Sequence, residues 1–231
     1  MLSIARTVRT LHAFRASVES FTRIIAGTNR TLLLIGNASG GNFEVTSPEL
    51  AAALLDEGEK AWGTGLLSAP QGLTRLFMAC EGFIRSSSKG SADEADQVAG
   101  WLSAVCVEAD RVYAQWVGGD EIWLLAPQGL LHRTRGHIKQ YPVGLRTVDF
   151  FTTGLGSGYS TTQSESLVEP WAVEPGQRLL MMNRTLVRNL NEEDAVRLVM
   201  SGGVEEAVQA LVSSLEHGVV GLYAAAIVAE F

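Results

Sequence analysis

Val173 to Leu190 reads V-E-P-G-Q-R-L-L-M-M-N-R-T-L-V-R-N-L. Glu174-Pro175-Gly176 predicts a tight turn, because proline presets φ and glycine accepts positive φ. Arg178 to Met182 predicts a buried strand, too short to read as a helix. Asn183-Arg184-Thr185 is a polar break, where a strand tip presents side chains to a cleft. Asn191-Glu192-Glu193-Asp194 then opens a helix with Ala195, Leu198 and Val199 at helical spacing. Asn191 or Asn189 is its candidate N-cap, and the acids sit where the positive end of the helix dipole favours them.

A chain of 231 residues has room for one large α/β or α+β domain, or for two small ones. Its hydrophobic share of 46% supports an ordinary packed core. A net charge of −7, with no basic stripe, argues against nucleic-acid binding, which needs a concentrated basic face. Cys80 and Cys106 lie far apart in apolar surroundings with no C-x-x-C spacing, so they read as buried free thiols. The N-terminus lacks an apolar core long enough for a signal peptide, and no segment approaches a membrane span. Ala224 to Val228 reads as a final buried strand. The expectation is a cytoplasmic protein with no membrane contact.

Working outward, residues 1 to 35 predict two strands, the second being Thr31 to Ile35. Pro48 to Glu59 predicts a helix after the cap Thr46-Ser47, and Pro70 to Arg85 a second with Leu73, Leu76, Phe77, Cys80, Phe83 and Ile84 on one face. Ser86 to Asp96 reads as a loop. Val98 to Phe151 predicts an antiparallel meander: strands Trp101 to Glu108, Arg111 to Val117 and Glu121 to Ala126, with turns at Ala109-Asp110, Gly118-Gly119-Asp120 and Pro127-Gln128-Gly129. Tyr141 to Gln163 is loop-rich, and its glycines and serines from Thr152 to Gly158 read as a connector or as a cradle for an anion. Leu167 to Val173 predicts another strand. Val204 to Glu216 predicts an amphipathic helix with Ala207, Leu211 and Leu215 inward, before a last strand from Gly221 to Ala229. His132 and His137 have no metal-spaced partner, and read as solvated or hydrogen-bonded residues.

Pro175 to Arg188 resembles the segment P-G-D-x-L-L-L-C-S-D-G-L-T-D of the metal-dependent Ser/Thr phosphatases of the PPM (PP2C) type. Arg15 to Phe21 resembles their R-x-x-N-E-D pattern, Leu34 to Asn42 their V-x-D-G-M-G-G-H, and Asp110 to Leu125 their paired strands around G-D-S-R. The likeness runs from Arg15 to Phe231. It implies an α+β fold: a four-layer αββα sandwich, two mainly antiparallel sheets flanked by helix pairs, formed by 1–231 as one domain.

The resemblance also implies where chemistry would lie. Arg15 matches the arginine that binds substrate phosphate in the family, although a lone arginine read by itself is more often an ion-pair residue. The family's metal-binding positions fall on Ser20, Asn37, Ala38, Arg184 and Leu222, none of which is a carboxylate. Phosphatase chemistry of this type uses a metal-bound water as nucleophile, and a shifted acid such as Glu19, Asp120 or Glu121 could compensate for one lost ligand. The expectation is therefore a pseudophosphatase with no metal and no other cofactor. It would act as a regulatory or binding module in Ser/Thr phosphorylation signalling, with a kinase or phosphoprotein as its protein partner. Arg15, Arg184 and Arg188 would hold a phosphate group. The alternative is a divergent active phosphatase using Mn²⁺ or Mg²⁺ at a relocated site.

Overall fold

The computed structural model describes residues 2–10, 17–40, 45–63, 67–88, 98–143, 146–156, 164–215 and 223–231. The first part of the chain holds β1 (Ser3–Thr10), α1 (Val18–Phe21), β2 (Thr22–Ala26), β3 (Arg30–Gly40) and β4 (Val45–Thr46), then helices α2 (Pro48–Trp62) and α3 (Ala69–Ser87). The middle is built of strands: β5 (Ala99–Glu108), β6 (Arg111–Val117), β7 (Glu121–Ala126), β8 (Gly129–Arg133), β9 (Ile138–Val143), β10 (Arg146–Phe151), β11 (Glu165–Ser166) and β12 (Trp171–Ala172). The rest is β13 (Arg178–Met182), α4 (Arg184–Asn189), α5 (Glu192–Met200), α6 (Val204–Ser213) and β14 (Tyr223–Glu230).

Successive side chains of a strand point to opposite faces, so an unbroken apolar run suits a strand covered on both sides. T-L-L-L-I and R-L-L-M-M are such runs, and the packing shows why. Leu33 and Ile35 of β3 join Leu179 and Met181 of β13 and Ile227 of β14 in a core between two sheets. Their neighbours Leu32 and Leu34 pack instead with Leu54, Leu55, Leu73 and Leu76 of α2 and α3. On the other side, Leu180 and Met182 pack with Ala195, Val199, Ala207 and Leu211 of α5 and α6. One sheet runs β1-β14-β13-β7-β8; the other runs β11-β6-β5-β3-β2, with β12 on β6 and β4 on β3. These pairings are antiparallel throughout. The result is the expected four-layer α+β sandwich.

Several local expectations change. Among the described residues the opening segment holds three strands, because Thr22–Ala26 adds β2 along β3, with Thr22 opposite Ile35. Leu167 to Val173 forms only the two-residue β12, preceded by β11. Ile138–Val143 and Arg146–Phe151 continue the antiparallel meander expected to reach Phe151, but as a separate two-stranded hairpin that also takes up part of Tyr141 to Gln163, read as loop-rich. The polar break at Asn183 is a helix start: the Asn183 Oδ1 accepts from Leu186 N–H at 3.4 Å and also from Ala225 N–H at 3.1 Å. The helix that follows is capped by Asn191 rather than Asn189, its Oδ1 accepting from Asp194 N–H at 2.8 Å.

The meander is also divided. β5 and β6 lie in one sheet, while β7 and β8 lie in the other. The chain changes sheet at Gly118-Gly119-Asp120, where Gly118 has φ +108° and a Cβ would stand 2.4 Å from Cδ1 of Trp101. Backbone conformation and space both demand glycine there. Gly118→Ala is expected to cost about 3 kcal/mol from positive-φ strain and overpacking together. Urea unfolding would measure it, and a loss below about 1 kcal/mol would mean that the corner relaxes freely.

Arg178, at the start of β13, ties helices to sheet. Its Nε donates to Glu230 Oε2 at 2.7 Å, Nη2 donates to the carbonyl of Gly202 at 2.7 Å, and Nη1 donates to that of Val199. It caps the C-terminal end of α5 and secures β14 in one step.

Candidate functional site

The register of β13 on β7 sets Met182 opposite Glu121. The residues just beyond, Asn183-Arg184 and Asp120, therefore leave the same end of the ladder side by side. Arg184 N–H donates to Asp120 Oδ1 at 3.1 Å. The Asn183 Nδ2 donates to the carbonyl of Tyr223 at 3.0 Å, which brings in the start of β14. Phe21 stacks on Tyr223 with ring centroids 3.8 Å apart, placing Ser20 at this end too. The β2–β3 ladder runs to Thr22 opposite Ile35, so Ser20 and Asn37 each lie two residues past its last pair. Ser20 thus lies in α1 just before β2, and Arg184 opens α4 just after β13. Asn37 and the buried Ala38 lie in the part of β3 that runs past β2 and still pairs with β5. The Ser20 and Ser17 hydroxyls are 3.2 Å apart. Arg188 is one turn further along α4. Arg15 and Leu222 lie outside the described residues.

Asp120 is the unusual group here. It is only 6% exposed, and burial pushes its carboxyl up to about 7, against the opposing pull of the Arg184 N–H and guanidinium. Its Oδ2 and the Asn37 Oδ1 are buried with no hydrogen-bond partner among the described residues. Burial, helped by the neighbouring Asp120 carboxylate, pushes the Tyr223 phenol well above its ordinary value, while a hydrogen bond to Asn183 opposes the shift.

Beside this contact is a cleft of about 390 Å³ lined by Glu121, Arg133, Arg135, Gly136, Ile138, Gln140 and Arg184. The segment that carries two of the arginines is held rigidly. Thr134 between them is buried, donating from N–H to the Ile122 carbonyl at 2.9 Å and accepting at Oγ1 from Ile122 N–H at 2.9 Å. The carbonyl of Arg135 accepts from Trp116 Nε1 at 3.1 Å. Gly136 lies so close to the corner that a Cβ would stand 2.9 Å from the Gly119 carbonyl. The alternation Arg133-Thr134-Arg135 was the available signal in the sequence; its convergence with Arg184 depends on the strand register.

The histidines and the glycine-rich stretch have structural partners. His137 accepts at Nδ1 from Gly118 N–H at 3.1 Å, and its Nε2 lies 3.1 Å from Glu165 Oε1. His132 stacks on Trp171 with centroids 5.4 Å apart. In the described part of the stretch, Gly156 N–H donates to Glu81 Oε2 at 3.0 Å, so the anion met there is the protein's own carboxylate. Cys80 and Cys106 are buried free thiols, both pushed up to about 12 by burial.

No protein-family sequence model and no curated protein matches the chain by sequence. Solved structures do match. The serine/threonine phosphatase of S. agalactiae superposes with a TM-score of 0.76 at 14% identity, over 100% of this chain and 99% of that one. The Mycobacterium tuberculosis serine/threonine phosphatase PstP/Ppp matches with 0.70 at 17% identity, over 100% and 98%. PppA, a regulatory component of the type VI secretion system of Pseudomonas aeruginosa, matches with 0.69 at 13% identity, over 98% and 97%. The fold is that of the PP2C-type Ser/Thr phosphatases.

Within that PP2C-type fold, the described positions where the resemblance sets metal ligands bring a hydroxyl (Ser20), an amide (Asn37), an apolar side chain (Ala38) and a guanidinium (Arg184). A divalent ion takes charged oxygen ligands, and a fixed cation repels it, so this donor set does not fit one. The three candidate replacement acids do not gather there. Glu19 pairs with Arg6 at 3.3 Å, and its carboxyl is held below the ordinary value by a backbone hydrogen bond first and by Arg6 and Arg23 after it. Glu121 Oε2 accepts from Trp123 Nε1 at 2.8 Å. Asp120 has Arg184 beside it. Among the described residues there is no group of three or more His, Cys, Asp or Glu side chains placed to hold a metal ion. No helix among them is long and apolar enough to cross a membrane.

Proposed function

We propose that the chain is a PP2C-like pseudophosphatase. It would be a regulatory or binding module in Ser/Thr phosphorylation signalling that does not carry out metal-dependent hydrolysis. The observation that supports this reading is the contact of Arg184 with Asp120. An arginine stands first in α4, where the resemblance sets a metal-binding carboxylate, and its main-chain N–H donates to the buried Asp120. The guanidinium acts on the Asp120 carboxyl, the one buried acid among the described residues, and supplies positive charge that metal ions would otherwise supply. Arg15, Arg184 and Arg188 are the residues proposed to hold a phosphate group, and a Ser/Thr kinase or a phosphoprotein is the proposed partner.

Calorimetric titration of Mn²⁺ into the purified protein tests the reading, with para-nitrophenyl phosphate and a phosphopeptide assayed for phosphate release in parallel. The expected result is no saturable heat and no release above the rate in buffer. Saturable Mn²⁺ binding accompanied by turnover would replace this reading with a divergent active phosphatase.

A further inference from the structure

We propose that the cleft formed by Arg133, Arg135 and Arg184 is a binding site for a phosphate monoester, recognised without hydrolysis. The proposal deepens the binding reading above and rests on it, but it assigns the site to residues on the β7–β8 side of the fold. Among the described residues, three arginines line one concave surface with one acidic residue, Glu121. This happens on a chain whose net charge is −7, so positive charge is concentrated against the trend of the whole molecule. Arginine presents a planar fork of donors that matches the oxygens of a phosphoryl group, and several forks around one dianion give short charge-assisted hydrogen bonds.

The arginines are also placed in advance. Arg133 and Arg135 flank Thr134, which is clamped to Ile122 through both its main chain and its hydroxyl. Arg184 is fixed by its own N–H on Asp120 Oδ1 at 3.1 Å. Backbones held in this way lose little freedom when a ligand arrives, which favours affinity. Arg133 lies 3.7 Å from Glu192, a solvent-exposed pair of the strength that a competing phosphate can displace. The volume of about 390 Å³ exceeds what a lone phosphate fills, and suits a phosphorylated side chain with adjoining groups. Glu121 lies on the same wall with one oxygen bonded to Trp123, and disfavours a second anion next to the phosphoryl group. A ligand with a cationic or neutral neighbour to the phosphate fits best.

The test uses the full chain in buffer containing a metal chelator, titrated by calorimetry with inorganic phosphate, with a phosphoserine peptide carrying a flanking lysine, and with the same peptide unphosphorylated. The phosphopeptide is expected to bind, the unphosphorylated peptide not to bind, and inorganic phosphate to bind more weakly. Arg135→Gln is expected to weaken phosphopeptide binding about tenfold or more, as is Arg184→Gln. Lys60→Gln, which removes the same charge from the exposed face of α2, is expected to leave it unchanged. Arg135 is exposed and its structural hydrogen bond comes from its main chain, so its variant should keep the wild-type melting temperature. Equal binding by wild type and both arginine variants would overturn the site, as would no binding of any phosphate compound. Inorganic phosphate binding as tightly as the phosphopeptide would overturn the fit to a monoester. Phosphate released on adding Mn²⁺, with the Arg135 dependence intact, would overturn the pseudophosphatase reading while leaving the site in place.

Discussion

Asp120→Asn should abolish a fall in stability that the wild-type protein shows between about pH 4 and pH 7. The Asp120 carboxyl is buried and keeps its proton up to about 7, whereas an unfolded chain releases it near 3.8. The folded state therefore binds the extra proton across that window. Stability from this group is fully present below pH 3.8 and is lost as pH rises through about 7. At about 1.4 kcal/mol per pH unit, the loss is on the order of 4 kcal/mol. Asparagine keeps the carbonyl oxygen that accepts from Arg184 and has nothing to ionise. Urea midpoints at pH 5 and pH 8 are the measurement, taken as the difference between wild type and variant so that other titrating groups cancel. Between pH 5 and pH 8 the variant should gain about 3 kcal/mol on the wild type, the part of the loss that falls between pH 5 and about 7. Curves that stay parallel would show that Asp120 is charged in the folded protein at neutral pH.

Arg178→Met should be the most damaging single change outside the apolar cores. It removes the donor to two main-chain carbonyls, at Val199 and Gly202, and leaves Glu230 without its partner. The residue is 7% exposed, so water does not replace those bonds readily. Breaking a buried pair of this kind costs about 4 kcal/mol, which lowers the melting temperature by about 10 °C for a domain of this size. Glu230→Gln should cost much less, because its side chain is half-open to water and the amide oxygen still accepts from Arg178. Differential scanning calorimetry of the two variants decides the matter, and equal shifts would show that the carbonyl contacts contribute little.

The legible parts of the sequence were those where one local rule had no rival. T-L-L-L-I and R-L-L-M-M can be covered on both faces only inside a layered fold, so β3 and β13 could be read directly. Ser47 and Asn191 announced α2 and α5 by cap chemistry, and the side chains of both do accept from the first turn. The sheet change after β6 was not legible. Two strands joined by Gly-Gly-Asp look like a hairpin, and only the strand order shows that β6 and β7 belong to different sheets. β2 was missed because T-R-I-I-A is short and only partly covered. In the candidate site, Asn37 and Arg184 were picked out by their place in a pattern, whereas Arg133 and Arg135 were not. Nothing local links residues some fifty positions apart; the pairing of Met182 with Glu121 does.

The pairing of β1 has a consequence for how the protein is made. Among the described strands its ladder runs with β14 alone, Ser3 opposite Glu230 and Thr10 opposite Tyr223, and β14 in turn lies between β1 and β13. The seven-stranded sheet needs nothing beyond Ala172 to pair its strands. On the ribosome that sheet can therefore assemble early, while β1 waits, bare along its hydrogen-bonding edge, until β14 has emerged. An unpaired strand is a template for wrong partners. Newly made chains are thus exposed to misassembly along β1 until β14 is there to pair with it.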